Sequence, residues 1–308
     1  MENINSRGIL FEGSFRFDEP MAHHTSFKTG GPAGLWIKPE GDCFPAFASL
    51  VLESAQKEGI PVFILGAGAN IVVPDEGIQG IVLDTIGYSG NIDSPLPIPH
   101  SSFYTLSFRS GTAVDIAAEY AADCGLSGLE FLSGMPGSVG GALWMNARCY
   151  NREIADVVSG VQVLEEGNIL YVSPKKETFA YKKSPFQGKN CLIISVSFAL
   201  QEKAPVLIKS EMEKNRNDRK MKGHYRFPSA GSVFKNDKLF GKPTGMIIDE
   251  LGLKGLAVGD AQIAPWHGNI IINRGKARSA EILSLVKLIE KRVKEELGYE
   301  LEREIIFL

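Results

Sequence analysis

The sequence predicts an α+β chain built from more than one domain, and three observations carry that expectation. Short apolar strand-like runs alternate with helical spacing over the first hundred residues, strand patterns fill residues 157–200, and a strong amphipathic helix occupies 279–298. At 308 residues the chain is long for one small core, which points to two or three domains. A hydrophobic fraction of 44% and a charged fraction of 22% are those of an ordinary soluble globular protein.

The elements follow in order. FPAFASLVLESAQKEG, residues 44–59, spaces its apolar side chains for a helix and stops at Gly59, which suits a left-handed cap because it has no Cβ to clash. IPVFI at 60–64, Ile71–Val73 and Gly80–Leu83 read as strands, the last two separated by the turn PDEG, so this region looks α/β. Residues 86–104 carry three prolines and are expected to be loop. FYTLSFRSG then reads as a strand and VDIAAEYAADCG as a helix. VVSGVQVLEEGNILYVS predicts a hairpin turning at Glu166–Gly167, with NCLIISVSFAL as a buried strand closing it. KSEMEKNRNDRKMKGH, 209–224, reads as a solvated helix and linker. SAEILSLVKLIEKRVKEELG has Ser279 as its expected N-cap, Glu281 in the first turn and Gly298 as its stop. A domain boundary is expected near residue 205.

Composition narrows the class. A net charge of −3 leaves no basic footprint for nucleic acid. The longest apolar run, CLIISVSFAL, is far shorter than the roughly 20 residues that cross a bilayer, so no membrane association is expected. Cys43, Cys124, Cys149 and Cys191 are scattered without a C-x-x-C pair, and the opening MENINSRGILFEG has no apolar signal core. Both features predict a reduced, cytoplasmic protein. No His, Cys and Asp cluster has metal-ligand spacing, and no metal is expected.

The 33 glycines cluster, and the clusters are the first functional signal. GAGAN, 66–70, follows a strand as a phosphate-binding turn does, but Ile71 breaks the pattern G-x-G-x-x-G and no G-K-[ST] follows. Alone it is an ordinary tight turn. SGMPGSVGGAL adds Gly134, Gly137, Gly140 and Gly141 within a few residues, more missing side chains than packing explains. Consecutive N–H groups in such loops form anion-binding concavities, and two loops together predict a long phosphorylated cofactor. A third small-residue stretch, FPSAGSVFKN at 227–236, surrounds Ser232. It is not the G-x-S-x-G elbow of a hydrolase, because Phe234 stands where the second glycine belongs. Taken alone, Ser232 caps a turn.

HTSFKTGGPA at 24–33, ILGAGANIVVPDEGIQGIVL at 64–83, GLEFLSGMPGSVGGALWMNA at 128–147, PSAGSVFKN at 228–236 and IDELGLKGLAVGDAQIAPWHGNIIIN at 248–273 come in a specific order. In that order, from about residue 20 to the end, the chain resembles the UDP-N-acetylenolpyruvoylglucosamine reductase family, flavoenzymes that make UDP-N-acetylmuramate for bacterial cell walls. The resemblance implies an FAD-binding domain of the vanillyl-alcohol-oxidase type over residues 1–204, in two α/β subdomains of about 1–85 and 86–204. An α+β substrate-binding domain would occupy 205–308, its last strand, 300–308, returning toward the active site. The implied FAD contacts are Gly66, Ala67, Gly68, Ala69 and Asn70 in one loop and Gly134, Pro136, Gly137, Gly140 and Gly141 in the other. Ala69 stands where the family usually has Ser, which removes one hydroxyl. His23 and His24 raise the question of covalent flavin, found in some relatives of the fold; the family holds FAD noncovalently, and that is expected here. The implied reductant is NADPH and the implied substrate UDP-N-acetylglucosamine enolpyruvate. A monomer of the shorter, lid-less type is expected, with small-molecule partners only.

The implied reaction delivers hydride to C3 of the enolpyruvyl ether and a proton to C2, with negative charge developing at C2 and its carboxylate. Ser232 matches the family's proton donor. Glu304, in ELEREIIFL, matches the family's late Glu, with Glu302 its competitor two positions away. The family's Y-R-x-S-x-F appears as YKKSPF, so Lys182 replaces an Arg that would clamp a carboxylate through two parallel bonds. Lys keeps the charge and loses the planar fork. Arg226, or Arg148 in MNARCYN where the family tends to have Gly, is a candidate to supply it. Lys235, Asn236 and Gln262 match substrate-contacting positions, and His267 reads as structural. The alternatives are a flavin oxidase or dehydrogenase of another substrate on the same scaffold, and a non-catalytic flavin-binding relative.

Overall fold

The structure, a computed structural model, describes residues 11–308. The opening residues read for a signal core lie largely outside that range. The described residues form two compact units. The first takes the residues up to Arg16, Leu35–Ala67 and Gly80–Asn217; the second takes Phe17–Gly34, Gly68–Gln79 and Asp218–Leu308.

In the first unit, Val62–Leu65 runs parallel to Ile78–Asp84 in a four-stranded sheet. Helix α1 (Phe44–Glu58) buries Phe44, Phe47, Ala48, Leu50, Val51 and Ala55, the stripe its spacing predicts. Gly59 ends it at φ +67°, its N–H returning to the carbonyls of Ala55 and Gln56. A second sheet is antiparallel, with Phe103–Arg109 beside Leu192–Glu202, then Val158–Glu165 and Asn168–Val172. Its hairpin turns at Glu166 (φ 48°) and Gly167 (φ 78°), two left-handed residues whose twist matches that of the strands. Helices α2 (Val114–Asp123) and α3 (Val139–Trp144) pack with this sheet around Leu106, Phe108, Val161, Val196 and Phe198.

The stretch expected to be a solvated helix and linker is helix α4 (Pro205–Met221), and it is anchored. Ile208 and Met212 are buried in the core of the first unit, and the Asn215 amide donates to the Glu130 carbonyl at 2.9 Å. Arg216 bonds Asp115 and Glu119, each at 2.7 Å. The charge run hid a narrow apolar stripe, because two buried side chains four residues apart, about one turn, lie on the same helix face and seat it.

In the second unit, Ala257–Val258, Ala261–Ile263 and Ile271–Asn273 form an antiparallel sheet packed with α5 (Thr244–Glu250) and α6 (Ser279–Leu297). On α6, Ile282, Leu285, Val286, Ile289 and Val293 are fully buried, each worth about 1.5–3 kcal/mol relative to exposure. The start of α6 differs from expectation. Ser279 is its first helical residue, and its hydroxyl donates to the Val73 carbonyl. Asp75 does the capping instead, accepting from the backbone N–H groups of Ser279 (2.8 Å) and Ala280 (3.0 Å). Ile306–Phe307 pairs in parallel with Ile71–Val72, and the Asn273 amide donates to the Phe27 carbonyl. These bonds draw 17–34 and 68–79 into the C-terminal unit, so compactness does not follow a single boundary near residue 205.

Candidate active site

Ser232 lies in a segment lined on both sides by extended chain of the second unit. On one side, Ser232 bridges Ile270, and the Val233 N–H donates to the Asn269 carbonyl at 2.9 Å. On the other, the Val233 carbonyl accepts from Glu304 N–H (2.8 Å) and Ile305 N–H (3.3 Å), while Lys235 N–H reaches the Glu302 carbonyl at 2.8 Å. Gly231 at φ +74°, with open space where a Cβ would stand, turns the chain into this slot. Val233 and Phe234 are buried as plugs, and Ser232 between them and the turn stays half-buried. Its hydroxyl has no hydrogen-bond partner among the described residues.

Glu304 is thus one backbone hydrogen bond from the residue after Ser232. Its own carbonyl accepts from the Asn70 side-chain amide at 2.9 Å, and Ile306 N–H donates to the Asn70 carbonyl at 3.0 Å. The side chain of Asn70 is therefore engaged in bracing the Glu304 strand. Glu302 forms an exposed ion pair with Lys235 at 2.6 Å, which separates the two competing carboxylates. The other substrate-side residues have local bonds as well. Asn236 Oδ1 accepts from Thr244 N–H at the start of α5, and Gln262 Nε2 donates to the Gly255 carbonyl, both at 2.9 Å. Gly68 leaves room for the His24 carbonyl, which a Cβ there would approach to 2.0 Å. His24 Nε2 is held by the buried Glu19 at 2.9 Å, and His23 Nδ1 lies 3.5 Å from the same carboxylate.

The glycine loop of the first unit works differently from the expected row of open amides. Gly134 N–H donates to Asp115 (2.8 Å), Gly140 N–H to the Ser110 carbonyl (2.8 Å) and Gly141 N–H to the Ser138 hydroxyl (3.3 Å). What these glycines supply is absent side chains. A Cβ on Gly66 would stand 2.6 Å from Ser138 Oγ, and one on Gly140 would stand 2.8 Å from Ser110 Cβ. Gly137, at φ +147°, has nothing within 4 Å on its Cβ side, and the buried Ser110 hydroxyl has no hydrogen-bond partner among the described residues. Stripped backbone, an open face and an orphaned buried hydroxyl suit a bound polar group, and they fit the phosphates of FAD.

Lys182 sits at the tip of a tight turn closed by mutual backbone bonds of Ala180 and Lys183 at 2.9 and 3.0 Å. Its φ of +57° is a left-handed conformation that a lysine rarely adopts. The turn is tied to the end of α3 through Ser184 Oγ and Gln187 Nε2, both donating to the Trp144 carbonyl. Arg148 places its guanidinium 5.5 Å from the ring centre of Tyr181, the residue before Lys182. Arg226, in the other unit, lies over Trp266.

Two further histidines of the second unit are buried enough to shift. Burial, reinforced by the charge of Arg219, pushes His224 down to about 4. Burial also lowers His267, whose Nδ1 accepts from Asn269 N–H at 3.1 Å. Sequence reading missed Asn269 itself. The signal was present: an amide ahead of the apolar run Ile270–Ile272 must find partners when buried.

Comparison with known proteins agrees with this geometry. Residues 48–172 match the profile described as FAD binding domain, which covers most of the first unit's glycine loops. With the cradle around Gly140, this defines the molecule as an FAD-containing oxidoreductase. Residues 223–308 match the UDP-N-acetylenolpyruvoylglucosamine reductase, C-terminal domain. A UDP-N-acetylenolpyruvoylglucosamine reductase of Borreliella burgdorferi is 37% identical over 289 residues, 94% of this chain and 92% of that one. One from Caldanaerobacter subterraneus is 38% identical over 300 residues, 96% and 94% of the two chains. The crystal structure of the Thermus caldophilus enzyme superposes with a TM-score of 0.77 at 31% identity, over 97% of this chain and 99% of that one. The chain belongs to the UDP-N-acetylenolpyruvoylglucosamine reductase family.

Proposed function

We propose that the chain reduces UDP-N-acetylglucosamine enolpyruvate to UDP-N-acetylmuramate at the expense of NADPH, with Ser232 as the proton donor. The loops at Gly66–Asn70 and Gly134–Gly141 would hold FAD noncovalently, and FAD would supply the hydride relay from NADPH to C3. The protein's task is the other half of the addition: to stabilise charge at C2 and its carboxylate, and to protonate C2. The C2 carbanion takes the Ser232 proton, leaving an alkoxide that regains its proton from solvent, so one hydride and one proton add across the double bond. The observation that supports this reading is the backbone pairing of the two segments, in which Glu304 N–H donates to the carbonyl of Val233, the residue after Ser232. Glu304 and Lys182 are assigned to the carboxylate of the intermediate, Lys182 supplying charge without a fork. Lys235, Asn236 and Gln262 are assigned to the nucleotide end of the substrate. In this division of labour residues 1–204 serve FAD and 205–308 serve the substrate, in a monomer working in the cytoplasm.

Stopped-flow absorbance tests the proposal. The FAD-loaded protein is reduced anaerobically with NADPH and mixed with the enolpyruvyl substrate. Rapid return of the oxidised flavin band is expected, and its loss in Ser232→Ala with NADPH reduction intact. Reduction that no enolpyruvyl substrate reverses would refute the substrate assignment.

A further inference from the structure

Asn269 is 3% exposed, and its side chain bonds the backbone of the segment that carries Ser232. Its Oδ1 accepts from the Phe234 N–H at 2.9 Å and its Nδ2 donates to the Phe234 carbonyl at 2.8 Å. Its backbone carbonyl accepts from Val233 N–H at 2.9 Å. One residue thus satisfies both polar groups of Phe234 and one of Val233, imitating a neighbouring strand where the ladder would otherwise have a gap. Phe234 is fully buried, so these groups have no water to turn to.

The far side of the segment is fastened by the Glu304 strand, through the Val233 carbonyl. Between these two fastenings the backbone of Val233 and Phe234 is set, and with it the course of the chain at Ser232, two residues before Phe234. Asn269 is itself held, because its N–H donates to His267 Nδ1. Gly268 allows that approach: a Cβ there would stand 2.4 Å from the Gly245 carbonyl. An Asp at 269 offers no donor to the Phe234 carbonyl, and a Gln places its amide one methylene too far, so the fit is particular to Asn.

We infer that Asn269 is the positioning residue of the Ser232 proton donor, clamping the backbone of Phe234 so that the hydroxyl is aimed. This rests on the proton-donor reading above. The clamp acts on protonation at C2 and leaves hydride uptake from NADPH untouched.

The test uses the full FAD-loaded chain with Asn269→Ala and Asn269→Asp, read two ways. Hydrogen exchange of the peptide spanning 228–236 reports the clamp directly: its protection should fall at least tenfold in Asn269→Ala, with the glycine-loop peptides unchanged. In stopped flow, return of the oxidised flavin band on mixing with the enolpyruvyl substrate should slow roughly 10–100-fold, while reduction by NADPH stays within about twofold. Asn269→Asp should show the same pattern at smaller size, and serves if the Ala variant does not fold. In a Ser232→Ala background, Asn269→Ala should slow the substrate phase no further, because it acts through the serine. Unchanged exchange, or an effect that multiplies with that of Ser232→Ala, would overturn the inference. If Ser232→Ala alone leaves the substrate phase intact, the proton-donor reading fails, an outcome distinct from a silent Asn269.

Discussion

The segment carrying Ser232 and the loop from Gly134 to Gly141 are both short and glycine-bearing, yet they hold their shape by opposite means. Around Ser232, groups have been added: Asn269, Glu304 and Ile305 bond the backbone of Val233 and Phe234 from two sides. Around Gly140, atoms have been removed, so that Ser110 and Ser138 come closer than a side chain would permit. The difference teaches what each region tolerates. In the first, deleting a polar group leaves a buried partner unsatisfied; in the second, a single added methyl collides.

The sharpest way to break the comparison is at its centre. Ser232→Ala is expected to slow substrate-dependent flavin oxidation by roughly 10²–10⁴-fold, the usual worth of a positioned proton donor, with flavin content unchanged. Next comes the loop. Gly140→Ala should cost about 1–3 kcal/mol, seen as a lower thermal midpoint and weaker FAD retention, because its methyl would stand 2.8 Å from Ser110 Cβ and 3.2 Å from the Ser110 carbonyl oxygen. Gly141→Ala meets only the Ser138 hydroxyl, at 3.2 Å, and should cost less. Equal effects would mean that the loop is not shaped by this contact.

A smaller effect lies in the pH dependence of the second unit. His224 falls from its ordinary 6.5 to about 4 on burial, so on acidification the unfolded chain takes up a proton that the folded chain refuses. The stability that this histidine leaves intact above pH 6.5 is lost progressively as pH falls toward 4. The thermal midpoint should therefore decline over that window, and decline less in His224→Gln. The smallest effect concerns Lys182. Restoring the fork with Lys182→Arg should raise the rate of the substrate phase by up to roughly tenfold, the worth of one added charge-assisted hydrogen bond. Arg148, lying over the neighbouring Tyr181, should matter more with Lys182 present than with Arg in its place, as a comparison of Arg148→Ala in the two backgrounds will show.

Much of the fold could be read from residues with local causes. Gly59 as a cap, Glu166–Gly167 as a hairpin turn and the buried stripe of α6 all stand where their spacing put them. The candidate site was readable only as motifs: Ser232 and Glu304 were named from the resemblance that the order of motifs carries, and the glycine loops from their clustering. Their supports were not. α4 looked solvated because its charges outnumber the two side chains that seat it, and the amides of Gly134 and Gly140 looked open because nothing in SGMPGSVGG points to the distant Asp115 and Ser110 as their partners.

By itself, the sequence determined the elements whose energetics close within a few residues, together with the order of the motifs that mark the family. Only the tertiary structure decided that Asp75, 204 residues before Ser279, caps α6, and that Asn269, 35 residues beyond Phe234, completes the Ser232 segment. The physical reason is that helix and turn propensities act over single turns of chain and leave a period to read, whereas a hydrogen bond between distant segments satisfies a buried group wherever the fold happens to bring a donor and leaves no period at all.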